Sequence, residues 1–235
     1  MMQRCKGAEA TEPLQPGEGD APGVSRRALL RAGLAGGFVA AMGGGCFSPS
    51  EEVEAAKSEY VLIIDLTKCA GCRACEEACN QRNHLPEEQS YIRILARGDE
   101  ENRWFLPIQC QHCHDAPCAT VCPVDATYQH PSGVVLVNEK TCVGCKYCIV
   151  ACPYGARIFD EHKGVASKCW LCLDWVLGGG EPACVQACLK GARIFGKRTD
   201  SQISRLLSSG RAQALHPEFG TDPCVLHYIF PENLA

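Results

Sequence analysis

Beyond residue 60 the sequence has no apolar run approaching the roughly 20 residues that a membrane-spanning helix needs, so membrane contact is expected only through a partner. It has no basic excess either. With 23 Lys and Arg against 27 Asp and Glu, the formal net charge is −4, which argues against nucleic acid as a partner. Aromatic residues make up 7% of the chain, so stacking platforms for bases are scarce. No G-x-G-x-x-G follows a strand-like segment and no P-loop occurs, which removes the common nucleotide sites. No nucleophile–base set stands out, and the sequence offers no substrate chemistry of its own.

What the chain has is cysteine: 19 in 235 residues, a density at which thiols form a framework rather than scattered buried side chains. Sixteen of the 19 fall into four quartets. The first is Cys69, Cys72, Cys75 and Cys79; the third is Cys142, Cys145, Cys148 and Cys152. Both have the C-x2-C-x2-C-x3-C spacing of bacterial ferredoxins, and Pro153 follows the third. The second quartet, Cys110, Cys113, Cys118 and Cys122, widens the middle gap and is followed by Pro123. The fourth, Cys169, Cys172, Cys184 and Cys188, widens it further with an insertion containing Gly178-Gly179-Gly180. Each keeps C-x2-C in front and C-x3-C behind, an internal repeat that points to duplicated units.

The spacing has a physical reading. Closely spaced thiolates on a tight loop wrap the corners of an iron–sulfur cube, and small residues such as Ala70-Gly71 and Val143-Gly144 let backbone N–H groups approach the sulfides. A short helix then carries the fourth cysteine one turn beyond the third, away from its own loop and toward a neighbouring cluster, as in two-cluster ferredoxins. Pro123 and Pro153 end such helices. Zinc would leave the middle thiol of C-x2-C-x2-C redundant, and cysteines three apart bridge poorly as disulfides. Strands are expected over Tyr60–Leu66, Val134–Val137, 157–159 and 193–195. His112 and His114 flank Cys113 as hydrogen-bonding neighbours rather than ligands. Trp170 and Trp104-Phe105 are read as shields against water, and Cys224 as a free buried thiol.

The leader differs in kind. Residues 1–24 are rich in Gly, Pro, Ala and Glu without apolar periodicity, the composition of a disordered segment. Ser25-Arg26-Arg27-Ala28-Leu29-Leu30-Arg31 precedes an uncharged stretch from Ala32 to Gly45, which is similar to a twin-arginine export signal with its h-region. That route moves proteins already folded, which suits clusters inserted before export and argues further against disulfides. Cys46 ends the stretch but lacks the leucine of a lipoprotein cleavage box, and both it and Cys5 are read as spare thiols. The expected organisation is a signal region over 1–46, a linker over 47–59, a four-cluster domain over 60–196 and a docking tail over 197–235.

From about residue 58 to 230 the chain resembles the iron–sulfur subunits of the dimethyl sulfoxide reductase superfamily of molybdopterin enzymes. The four-cluster subunits of tetrathionate, thiosulfate and polysulfide reductases and of formate-dependent nitrite reductase are the most similar types. The resemblance rests on CQHCHDAPCATVCPVDATY from Cys110, CVGCKYCIVACPYGARIF from Cys142, CWLCLDWVLGGGEPACVQACLKGARIFG from Cys169 and HPEFGTDP from His216. It implies an α+β, loop-rich fold of two bacterial 2[4Fe-4S] ferredoxin-like modules with short strands and helices. The outer quartets form one module and the inner quartets the other. It further implies four 4Fe–4S clusters. One is held by Cys69, Cys72, Cys75 and Cys188, a second by Cys169, Cys172, Cys184 and Cys79, a third by Cys110, Cys113, Cys118 and Cys152, and a fourth by Cys142, Cys145, Cys148 and Cys122. Asn80 departs from the family pattern where a proline would follow the first quartet, and the C-terminal membrane helix of relatives in hydrogenase and formate dehydrogenase complexes has no counterpart here. The implied function is a non-catalytic wire between a molybdopterin catalytic subunit and a quinone-reactive integral membrane subunit, on the periplasmic face of the cytoplasmic membrane. The competing expectation is a stand-alone periplasmic carrier that moves electrons by diffusion. The insertions at 80–109 and 173–183 and the tail favour docking, because they exceed what two small modules need.

Overall fold

The computed structural model describes residues 58–232. The twin-arginine pair, Cys5, Cys46, the signal region and residues 47–57 of the linker lie outside the described residues.

Strand β1, Tyr60–Asp65, is a continuous apolar run rather than an alternating one because both of its faces are covered. Leu62 and Ile64 join the main core, while Val61 and Ile63 join a smaller core with Ile203, Ala212 and Ile229. Full burial of each such side chain contributes roughly 1.5–3 kcal/mol. Helix α1 follows at Ala74–Asn83, then the β2–β3 hairpin at Arg93–Arg97 and Trp104–Ile108. Helix α2 is Pro117–Thr120, and strands β4 (Thr127–Gln129) and β5 (Val135–Val137) form a second antiparallel pair. Helix α3 (Tyr147–Val150) leads to a third antiparallel pair, β6 (Arg157–Asp160) with β7 (Val165–Lys168). Helices α4 (Leu173–Leu177) and α5 (Ala183–Gln186), strand β8 (Arg193–Lys197), helix α6 (Ser201–Ser208), a 3-10 turn (Pro217–Phe219) and strand β9 (Leu226–Ile229) complete the chain.

The result is an α+β, loop-rich fold in which β1 is the central strand of a three-stranded sheet ordered β8-β1-β9. It runs antiparallel to β8, pairing Leu62 with Phe195, and parallel to β9, pairing Leu62 with Leu226. The segment past residue 196 is therefore built into the unit: β9 completes the sheet and α6 lays Ile203 on its second face. Helix α1 packs against α5, and α2 against α3. Helices of four residues such as α2, α3 and α5 do not persist in isolation; packing in these pairs holds them. Among the described residues no helix is long and apolar enough to cross a membrane.

Candidate metal centres

Each quartet uses the same local device. The residue two beyond the first cysteine has a left-handed backbone: Gly71 (φ 67), His112 (φ 50), Gly144 (φ 69) and Leu171 (φ 63). That conformation is cheap for glycine and costly for other residues, so the second and fourth loops carry strain that the first and third avoid. At Gly71 a Cβ would lie 2.5 Å from Phe105 Cδ1, and at Gly144 one would lie 2.4 Å from the Gly164 carbonyl oxygen. These glycines thus admit protein neighbours, a reason additional to the approach of backbone to sulfide. The third cysteine is the second residue of a helix in every quartet: Cys75 in α1, Cys118 in α2, Cys148 in α3 and Cys184 in α5. The fourth lies one turn on, and backbone N–H groups reach some of these sulfurs: Ala126 N–H donates to Cys122 Sγ at 3.2 Å and Ala156 N–H to Cys152 Sγ at 3.5 Å.

Helix pairing brings thiols of different quartets together. One cavity is lined by Cys69, Cys72 and Cys75 with Cys188. A second is lined by Cys169, Cys172 and Cys184 with Cys79. A third gathers Cys110, Cys113 and Cys118 with Cys152. In the remaining set Cys148 and Cys142 are within electrostatic reach of each other, Cys145 is exposed and Cys122 is half-buried. Among the described residues no group of three or more His, Cys, Asp or Glu is arranged round a single metal ion. The donors are all sulfur and surround small cavities, which fits a multi-iron sulfide core better than one ion at about 2.3 Å from each sulfur.

The sets differ in depth. Cys79, Cys169, Cys172 and Cys184 are all buried, as are Cys110, Cys113 and Cys118, whereas Cys72 and Cys145 of the other two sets are exposed. Burial, reinforced by neighbouring sulfurs, pushes the Cys113 and Cys169 thiols up to about 12. Cys79 moves upward for the same reasons. At Cys122 burial acts upward, but the backbone N–H groups of Thr127, Val124 and Ala126 outweigh it and the net shift is downward. Sulfur–sulfur interactions also order the sets: Cys110 acts on Cys169, so the second and third sets are neighbours. Buried Lys168 lies at this junction, acting on both Cys169 and Cys118, with its ammonium donating to the carbonyl oxygens of Val135 and Cys169.

Around the thiols lies a polar lining that sequence reasoning missed. Arg157 and Arg193 are each only 5% exposed, and Gln109 and Gln111 are almost wholly buried. Gln109 accepts from Arg193 Nη1 at 2.8 Å and turns its amide nitrogen toward Cys169 Sγ at 3.8 Å. Gln111 donates to the Gln109 carbonyl and to Tyr228 Oη. The available signal was the repeated Gly-Ala-Arg-Ile-Phe at 155–159 and 191–195, read only for its strand. His112 is wholly buried: its Nδ1 accepts from Val135 N–H at 3.1 Å, and its Nε2 has no hydrogen-bond partner. Burial, with Lys168 and Arg157 nearby, holds its imidazole well below the usual range and therefore neutral. His114 is half-buried beside Cys113. Cys224 is buried with its thiol donating to the His112 carbonyl at 2.6 Å. Phe105 covers the first loop at Gly71, and Trp170 lines the second cavity while donating its indole N–H to Asn83 Oδ1. A cleft of about 840 Å3 between β3 and the C-terminal segment contains no cysteine and is lined by Trp104, Leu106, His216 and Phe230 among others.

A strand–loop–helix repeat gathering cysteines from paired quartets defines a ferredoxin-type iron–sulfur protein. The 4Fe-4S dicluster domain family matches residues 102–198. One of the subunits of tetrathionate reductase from Salmonella typhimurium is 38% identical over 191 residues, covering 77% of this chain and 76% of that protein. The electron transfer subunit of thiosulfate reductase from Salmonella typhi is 39% identical over 155 residues, covering 63% of this chain and 81% of that protein. One of the subunits of sulfite dehydrogenase from Allochromatium vinosum is 36% identical over 200 residues, covering 73% and 83%. The chain belongs to the iron–sulfur electron-transfer subunits of the dimethyl sulfoxide reductase type. It is an iron–sulfur relay subunit of an oxidoreductase, not the catalytic one.

Proposed function

We propose that the sixteen quartet cysteines hold four 4Fe–4S clusters in two ferredoxin-like modules, the first and fourth quartets forming one and the second and third the other. The observation that carries this reading is the sharing of cavities across quartets, with Cys188, Cys79 and Cys152 each joining three cysteines from a different loop. Cys142, Cys145, Cys148 and Cys122 hold the fourth cluster on the same logic. When bound, such clusters supply one-electron relay centres. The protein's part is to supply thiolates, exclude water from the middle sets and direct N–H groups and buried cations at the sulfurs. In this reading the sets run in the order of those containing Cys69, Cys79, Cys110 and Cys142, with the two exposed-cysteine sets at the ends, which the interaction of Cys110 with Cys169 and the differing burial support.

In this reading residues 60–196 carry the clusters and 197–235, together with the cleft beside β3, dock partners. One end set faces a molybdopterin catalytic subunit and the other a quinone-reactive integral membrane subunit, after export by a twin-arginine signal over 1–46 to the periplasmic side. Anaerobically purified mature protein is expected to contain about sixteen iron and sixteen sulfide per chain. A colourless preparation binding zinc instead would sink the four-cluster reading. Affinity capture from native membranes tests the docking. Recovery of the chain wholly free in the periplasm of respiring cells would favour a diffusing carrier.

A further inference from the structure

Two arginines occupy equivalent places in the internal repeat. Each follows the last cysteine of a quartet by a turn with a left-handed glycine, Gly155 (φ 55) or Gly191 (φ 59), and opens a strand, β6 or β8. Each guanidinium is buried and touches thiols of two sets. Arg193 lies 3.6 Å from Cys184 Sγ of the second set and interacts with Cys75 of the first, whose cavity it also lines. Arg157 interacts with Cys118 and Cys110 of the third set and Cys148 of the fourth. Among the described residues neither has a carboxylate partner. Arg193 Nη2 and Arg157 Nε and Nη2 are buried without a hydrogen-bond partner. A desolvated cation with spare donors is costly unless an anion faces it, and the groups facing these two are the Gln109 amide, the Thr127 hydroxyl, Tyr228, the neutral His112 imidazole and cysteine sulfurs.

We infer that Arg193 and Arg157 are the shared counter-cations of the two cluster pairs, each holding the reduction potentials of both its neighbours up together. The inference rests on the four-cluster reading above. Each one-electron reduction adds one negative charge to a site that is already anionic, and no bond or proton changes hands at the arginine. A fixed positive charge between two such sites favours both reductions and offsets the repulsion between two reduced neighbours. Arginine suits the task because it stays charged when buried. These are positioning and tuning residues, not ligands.

The test is iron analysis and EPR-monitored redox titration of the full chain carrying Arg193→Gln, Arg193→Lys, Arg157→Gln or Arg157→Lys. In Arg193→Gln both clusters of the Cys69 and Cys79 sets should become harder to reduce together. The expected change is about tenfold in reduced-to-oxidised ratio at fixed potential, or about 59 mV for a one-electron centre. The other pair should stay put. Arg157→Gln should do the reverse, and the Lys variants should recover most of each shift. Unmoved potentials with iron retained, or a shift in one cluster of a pair alone, would overturn the inference. Should a Gln variant lose iron, the Lys variant decides. Full iron with near-native potentials supports the role of charge; lost iron, or retained iron with shifted potentials, shows that shape matters instead. Failure of the four-cluster reading is a separate result, visible as unmodified protein lacking about sixteen iron.

Discussion

In the proposed arrangement the two middle thiol sets and the two end sets are built from the same repeat, yet their cysteines meet water differently. In the middle, seven of the eight cysteines are buried and only Cys152 is partly open; at the ends Cys72 and Cys145 are exposed and Cys148 alone is buried. Apolar side chains beside these cysteines follow the same division. Leu189 beside Cys188 is 94% exposed and Val150 beside the Cys148 loop 87%, whereas Leu171 and Leu173 around Cys172 are buried. In the proposed relay electrons enter and leave at the open sets, and the closed sets are those whose three-cysteine loops come from the second and fourth quartets, where the spacing is widened.

Removing a ligand from a middle set and from an end set should separate the two most sharply. Cys184→Ser takes a buried corner out of the core, and we expect it to reduce iron well beyond one cluster's four and to abolish cooperative thermal unfolding. Cys145→Ser should lose about four iron and keep the fold. Equal damage from both, by iron analysis and calorimetry, would erase the distinction.

Cross-ligation is the next place to break it. The EPR spectrum of Cys79→Ser should lack the same cluster as Cys172→Ser, although Cys79 belongs by sequence to the loop of Cys72. If it matched Cys72→Ser, the assignment of middle and end sets would fall with it.

Packing gives a smaller contrast. Leu62→Ala, on a strand covered on both faces, should cost about 2–5 kcal/mol in denaturant unfolding of the cluster-loaded protein. Leu189→Ala at an exposed end should stay within about 0.5 kcal/mol.

Asp65 provides the smallest effect. It closes β1 just before the first end loop, accepting from Thr67 N–H at 3.1 Å and pairing with Lys68 at 3.2 Å. Burial acts to raise its carboxyl, but the bonds from Thr67 and Lys68 outweigh burial and hold it below the usual range. A depressed folded value means the stabilisation is complete above the unfolded value of about 3.9 and is lost as pH falls through the folded one. Asp65→Asn should therefore cost about 1 kcal/mol near neutral pH, and its deficit should shrink in acid. A deficit that persisted at low pH would show that the carboxylate charge is not responsible.

Much of the fold was legible because its signals are local. The apolar run at 60–66, the short strand near 135 and the twin Arg-Ile-Phe segments appear as β1, β5, β6 and β8. Three of the four carry strand character from contiguous β-branched or aromatic residues. β9 was not anticipated, since four residues at 226–229 gain strand identity only from lying beside β1.

The sequence by itself determined the cysteine loops: spacing of two and three residues dictates a tight loop, a helix turn and a fourth thiol carried away from the first three. It could not determine which thiols share a cavity, because Cys69 and Cys188 meet only when β1 and β8 pair and α1 packs on α5. Nor could it reveal that Arg157 and Arg193 are buried, since an arginine at a strand's start is ordinarily a solvated one. Those features depend on contacts between segments distant along the chain, where local preference is silent and only the closing of the sheet and the pairing of helices decides.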